Sequence, residues 1–381
     1  MGVLYLCLVI IIGIISAMIF PDKQVEMKWF YIFSLAVMAG LTYNVYDYDV
    51  YESQYYASRF FEWDYSFYDS ILYGYSRDVA YLVINKISYI ANLDYVEFRF
   101  IISCIFIYLF YKGIFNFTSE ISVVFVLYIM HPFYQDVMQV RNFIIEVLFL
   151  WCVSIYTSKK RYYRIKTMLL LIVSTMFHSM SILFFPLLLI DKVEKNQYLI
   201  RIVKIFAIIG ICMPLYLGVV QNNLSILGDY MLLVTEDSAL SHYHGYLGAK
   251  INYGPYLVWG YTLFSLYLSY KLLQLIKKKY SYSEVKIRFS KITYYFMVYA
   301  TLLLPLSCLN PNIIRFVRNL NILLYIVIAM YLTTVSSRQR IVIFMACILA
   351  FFAIGFAEGY YNIGLYVLDT FNMNYVFELL E

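Results

Sequence analysis

Charge is what this chain has least of. Of 381 residues, 14% are Asp, Glu, Lys or Arg and 63% are hydrophobic, and the mean hydropathy is +0.71. A soluble domain carries about 25% charge, so a water-soluble globule is excluded. Alternating apolar and polar residues in blocks of about ten, the mark of a membrane barrel, are also absent. The six cysteines (Cys7, Cys104, Cys152, Cys212, Cys308, Cys347) stand singly in apolar runs, without CxxC or Cys/His spacing. Neither a disulfide framework nor a zinc site is indicated, and no metal or other cofactor is expected. The net charge of +5 is modest and sits in short loops. It reads as topology information, and no nucleic-acid partner is expected. There is no internal repeat, low-complexity tract or linker.

What is present is a series of apolar runs, each about 17–24 residues long. Only helices or closed barrels satisfy their own backbone in lipid. The expected fold is therefore an all-α polytopic integral membrane protein of about 10–12 transmembrane helices. It forms a single membrane domain over residues 1–381, with large external regions at 44–95 and 221–255. Spans are predicted at 3–20, 29–43, 96–115, 121–138, 141–156, 202–220, 256–273, 292–309, 313–335 and 341–356. The first is too long for a signal h-region and is read as an uncleaved span. Segment 79–90 is too short to cross and is expected at the interface. The 43 tyrosines and 30 phenylalanines suit interfacial belts, core and the walls of a wet cavity.

Basic loops orient the chain. Those at 159–166, 277–291 and 338–340 belong on the cytoplasmic side. Three apolar segments then separate two loops that should share a side, and three single spans cannot do that. A re-entrant hairpin at 167–190 repairs the count, with its apex near His178-Ser179-Met180-Ser181. Its two legs of about 18 Å would pass the midplane of a core about 30 Å thick. The alternative is one ordinary span with the 192–204 loop outside. The C-terminal tail, with Glu358, Asp369, Glu378 and Glu381 and no Lys or Arg, is expected outside.

This orientation gathers polar residues in the outer half of the membrane. The stretch from His131 to Asn142 supplies His131, Tyr134, Gln135, Asp136, Gln139, Arg141 and Asn142. If that stretch is one helix, Gln135, Gln139 and Asn142 share a face. Asn312, Arg315, Arg318 and Asn319 form a second stripe, and His178 a third contribution. Guanidinium forks bind phosphate bidentately and never deprotonate, so arginines without an acidic cage suit a lipid-linked phosphate or pyrophosphate. Taken singly, the arginines also fit interfacial anchors, His178 a helix-packing residue and His131 a loop cap. Asp47-x-Asp49 and His242-x-His244 are weak as metal sites for want of further ligands.

These residues carry a resemblance. Asp47-Tyr48-Asp49-Val50-Tyr51, Gln139-Val140-Arg141-Asn142, the run from Ser174 through Phe177-His178-Ser179 to Ser181, and Arg315 to Arg318 resemble the pattern of EpsG-like and Wzy-type polysaccharide polymerases. The usual Arg-Gln pair of that family stands here as Arg141-Asn142, and Gly40-Leu41-Thr42-Tyr43 replaces its motif before the first loop. The resemblance implies a metal-independent glycosyltransferase of the GT-C-like class at the outer face of the bacterial inner membrane. It would transfer a growing O-antigen, capsule or exopolysaccharide chain from undecaprenyl pyrophosphate to another lipid-linked repeat. A chain-length regulator protein is a possible partner besides membrane lipid. Arg141, Arg315 and Arg318 would hold the pyrophosphates, with Arg99 as a fourth. His178, or else His131 or Asp136, would accept the acceptor's proton. Substrate would also meet Asp47, Asp49, Tyr51, His131, Tyr134, Gln135, Gln139, Asn142 and Asn312. The alternatives are an O-antigen ligase-like transferase and a flippase for lipid-linked sugars.

Overall fold

The computed structural model describes residues 1–20, 24–43, 47–60, 78–195, 205, 254–280, 283–304, 312–362 and 371–378. Their regular structure is helical, apart from one isolated antiparallel bridge between Thr42 and Asn374. The order is α1 (Gly2–Ile19), α2 (Lys28–Leu41), α3 (Tyr48–Ala57), α4 (Val79–Ile90), α5 (Tyr95–Phe115), α6 (Ile121–Met130), α7 (Phe133–Met138), α8 (Val140–Ser158) and α9 (Tyr163–Phe177). A 3-10 segment, Ser179–Leu189, leads into α10 (Ile190–Lys195). Then come α11 (Gly254–Lys279), α12 (Glu284–Leu303), α13 (Asn312–Leu332), α14 (Ser337–Asn362) and α15 (Tyr375–Glu378). Within this set five helices are long and apolar enough to cross a bilayer: Gly2–Ile19, Tyr95–Phe115, Val140–Ser158, Ile314–Leu332 and Ser337–Glu358. The chain is an all-α polytopic membrane protein.

α13 is the axis of the bundle. Its residues from Phe316 to Met330 are almost wholly buried, and α6, α8, α11 and α12 pack around it. The outer helices turn apolar faces outward. Leu4, Leu8, Ile11, Ile15 and Ile19 form one exposed stripe on α1, and Val342, Leu349, Phe352 and Phe356 another on α14. Stripes of this kind suit a lipid solvent.

The hairpin is present. α9 runs up and the 3-10 segment returns beside it, so Arg164 and Asp191 meet at 3.3 Å at the base. Near the apex the Ser174 hydroxyl donates to the Ser181 hydroxyl at 2.9 Å. Tyr163 also donates to Asp191, at 3.1 Å, and Arg288 from α12 reaches the same carboxylate at 3.5 Å. Both legs thus start and end among the basic loops.

Several boundaries differ from the sequence reading, among them the span at 256–273, which runs on to Lys279. The span at 121–138 is two helices, Ile121–Met130 and Phe133–Met138, because Pro132 has no N–H to continue the first. A second break at Gln139 separates α7 from α8. Gln135, Gln139 and Asn142 therefore do not share a helical face. The span at 292–309 begins earlier, at Glu284, since Lys286, Arg288 and Lys291 lie on the helix rather than in a loop. Glu358 is no tail residue: it lies within α14 and is 2% exposed. Span 202–220 and external region 221–255 fall outside the described residues, apart from Ile205 and the first two residues of α11.

Direction along α8 fixes two ends. Arg141 and Ser158 are about 26 Å apart at 1.5 Å per residue. The Ser158 end carries the basic loops. Asn116, just after α5, donates to Ser154 there at 2.9 Å. Arg340 pairs with Glu120 and donates to the carbonyl of Ala17 at 2.9–3.1 Å. The opposite end holds the starts of α3, α8 and α13. The 371–378 segment returns to it, where Asn374 donates to the carbonyl of Val37 at 3.1 Å and the Tyr43 and Tyr375 rings lie 4.6 Å apart.

Candidate functional site

At this second end four separate stretches converge. Arg141 is the second residue of α8, Arg315 the fourth of α13, Asp47 the residue before α3, and His178 the apex of the hairpin. Arg141 and Arg315 both act electrostatically on Asp47 and both act on His178. Because α8 and α13 begin here, their positive dipole ends add to the two guanidinium charges.

Arg141 is held on several sides. It forms an ion pair with the buried Asp78, just before α4. Its guanidinium lies 4.9 Å from the ring centre of Tyr51 and 5.8 Å from that of Tyr81. Stacking of this kind orients the planar fork without using all its donors. Asp78 and Tyr81 stand at the start of α4, so this short helix supplies one wall.

The helix-start aspartates differ in use. Asp94 caps α5, accepting from the Glu97 N–H at 2.8 Å in a reciprocal capping box. Asp78 serves Arg141. Asp47 makes no capping bond to α3. Burial raises its carboxyl above the usual range, and Arg315 and Arg141 pull the other way. Asp49, two residues on, is exposed.

Beneath this cluster lies a buried polar layer. Arg318 donates to the Gln139 side-chain oxygen at 2.9 Å and stands 3.5 Å from Glu358. Glu358 meets His131 Nε2 at 2.7 Å. Tyr325 donates to the His131 carbonyl at 2.7 Å. Asn142 and Asn319 exchange hydrogen bonds at 2.9 and 3.0 Å. Tyr128 donates to Asp136 at 2.9 Å, and Glu146, another buried acid, lies against Asp136. Gln135 donates to the Tyr134 hydroxyl at 2.6 Å. Unpaired groups of this kind are costly away from water, and Gln135 Oε1 and Arg318 Nε are buried here without a hydrogen-bond partner.

The expected residues therefore divide. Arg141, Arg315, His178, Asp47 and Tyr51 come together. Arg318, His131, Tyr134, Gln135, Gln139 and Asn142 join the buried layer. Arg99 is also set apart: its guanidinium donates to the carbonyls of Thr42 at 2.6 Å and Val137 at 2.5 Å and lies 5.2 Å from the Tyr48 ring centre. It pins α2 and α7 to α5. Asn312 opens α13, and its side chain is outside the described set. Asp78, Glu146 and Glu358 escaped the sequence reading as site residues. Glu146 had a readable signal, being an isolated acid in an apolar run. Asp78 looked like one acid among many in a polar loop.

Comparison with known protein families places most of the chain in one of them. The model of a family described as the EpsG family matches residues 27–376, nearly the whole chain. No curated protein and no solved structure matches significantly.

Proposed function

The chain belongs to the EpsG family, and on that premise we propose that it is a membrane polysaccharide polymerase acting on lipid-linked glycan repeats. The donor is a growing chain on undecaprenyl pyrophosphate, and the acceptor is a hydroxyl of another lipid-linked repeat. The basic loops lie in the cytoplasm by the positive-inside rule, so the site faces the periplasm or the outside of the plasma membrane. The observation that carries this reading is the meeting of Arg141, Arg315, Asp47 and His178 at the end opposite those loops.

The chemistry follows from the charges. Two guanidinium groups and two helix N-termini face one place, which suits a pyrophosphate in the ground state. As the glycosidic carbon–oxygen bond breaks, negative charge grows on the departing pyrophosphate, and fixed cations in a water-poor site favour that change. Arg141 is oriented in advance by Asp78, Tyr51 and Tyr81, so little reorganisation remains at the moment of transfer.

The test is extension of a defined undecaprenyl-pyrophosphate-linked repeat by purified protein in liposomes, read as a ladder of products. The wild type should give long products. Arg141→Ala and Arg315→Ala should each lower turnover by about 10²–10³-fold, the scale of losing one charge-stabilising donor. Undiminished ladders in both variants refute the pyrophosphate role. A wild type that leaves the repeat unextended refutes the polymerase reading.

A further inference from the structure

Resting on that reading, we propose that a groove between α11 and α14 seats the polyprenyl chain of the lipid-linked substrate and leads its pyrophosphate to Arg141 and Arg315.

The groove has a volume of about 400 Å³. Leu257, Gly260 and Phe264 line it from α11, and Ala350, Ala353 and Ala357 from α14. Each set recurs at three- and four-residue spacing, so each forms one helical face. The small residues leave the space between the two helices unfilled. A Cβ at Gly260 would meet no atom within 4 Å. Gly355, on another face of α14, differs: a Cβ there would strike the carbonyl oxygen of Met130. α14 is thus pressed against α6 on one side and stands clear on the other. Leu257 and Phe264 are exposed, so the groove opens on the apolar outer surface of the bundle.

Its depth and its polar end bear on what it holds. Arg340 marks the basic end of α14. Ala350 lies about 15 Å beyond it and Glu358 about 27 Å, at 1.5 Å per residue. The groove therefore occupies the half of the bundle nearer the arginines. Glu358 lines it at that end and is held by His131 at 2.7 Å and Arg318 at 3.5 Å. Tyr261 lines it as well, 5% exposed, with its hydroxyl buried and without a hydrogen-bond partner. A buried donor left so is costly until something accepts from it. Beyond this point the cations continue outward. Arg318 donates to Gln139 at 2.9 Å, two residues before Arg141. Arg315 stands one turn further out on α13. The occupant must be apolar along its length and carry acceptor oxygens at the end beside the arginines. A polyprenyl pyrophosphate has this make-up. Bilayer lipid is as apolar as the groove, so the seat gains little from hydrophobic burial. What it supplies is a fixed position for the head group.

The test is photolabelling of the purified full-length protein in liposomes of phosphatidylethanolamine and phosphatidylglycerol. The probe is a polyprenyl pyrophosphate with a diazirine on its chain, and labelled residues are mapped by mass spectrometry. Label should fall on 257–264 and 350–357 and disappear under excess undecaprenyl pyrophosphate. Gly260→Leu puts a side chain into open space and should lose most of the label at an unchanged thermal unfolding midpoint. Ala353→Leu fills the opposite wall and should do the same. In the extension assay, Gly260→Leu should lower kcat/KM for the undecaprenyl-linked repeat about tenfold. The same repeat on a two-isoprene carrier should react with wild type and variant alike, because chain and groove form one contact and their losses do not add. Label elsewhere on the protein, label that excess undecaprenyl pyrophosphate leaves in place, or an equal loss with both carriers overturns the proposal. Displaceable label in the groove of a protein that extends no repeat upholds the groove and refutes the polymerase reading.

Discussion

At the scale of residues, Arg315 and Arg318 show how far sequence neighbours can part. They stand one turn apart on α13 and read as a pair. Yet Arg315 acts electrostatically on Asp47 and His178, while Arg318 sits 7% exposed between Gln139 and Glu358. Removing Arg318 leaves Glu358 buried with only His131 to balance it. Breaking a buried pair by deleting one partner costs about 3–5 kcal/mol. Arg318→Ala should therefore lower the thermal unfolding midpoint in detergent markedly. Arg315→Ala, at a half-buried position, should cost less than half as much stability while losing more turnover. Equal destabilisation by the two substitutions would contradict this division.

The hairpin is the instructive element. Its existence was legible from charge alone, because an odd number of apolar segments lay between two basic loops. Its internal order was not. Pro186 and the run Ser179–Leu189 give a tight 3-10 return rather than a second α-helix, and nothing in the apolar pattern distinguishes the two. The apex is organised by Ser181. Its hydroxyl donates to the carbonyls of Ser174 at 2.9 Å and His178 at 2.8 Å, and accepts from the Ser174 hydroxyl at 2.9 Å. These bonds set the backbone that carries His178. Ser181→Ala removes them for the loss of one oxygen atom, at about 1–2 kcal/mol. The expected result is a fall in kcat of about tenfold, because a small misplacement near the chemistry is costly, with KM for the lipid-linked repeat nearly unchanged. A rise in KM at constant kcat would show that the apex binds substrate without orienting the reacting groups.

For the whole molecule, the sequence and the fold agree on which polar groups share an end and differ on depth. Apolar run lengths located the five helices long and apolar enough to cross to within a few residues, since a bilayer imposes about 20 residues on any crossing helix. The break after Met130 has a signal in Pro132 and in the polar run that begins at His131, but the ten apolar residues before it are too few to cross, so the expected span runs through to 138. The return of Glu358 to the core was hidden, for an acid near the end of an apolar run looks like a tail residue until its partners His131 and Arg318 are known. What the fold adds is that the basic loops cluster at one end and Asp47, Arg141, Arg315 and His178 at the other. Electrostatics of the inner leaflet then favours the basic end in the cytoplasm. Single cysteines on a background without native cysteines test this directly. Asp49→Cys, at an exposed position beside the site, should react with a membrane-impermeant maleimide on intact spheroplasts. Lys160→Cys, in the exposed loop at the other end of α8, should react only after the membrane is opened. The reverse pattern would put the two arginines in the cytoplasm, where assembled repeats await export, and would turn the site toward a transfer step that precedes translocation.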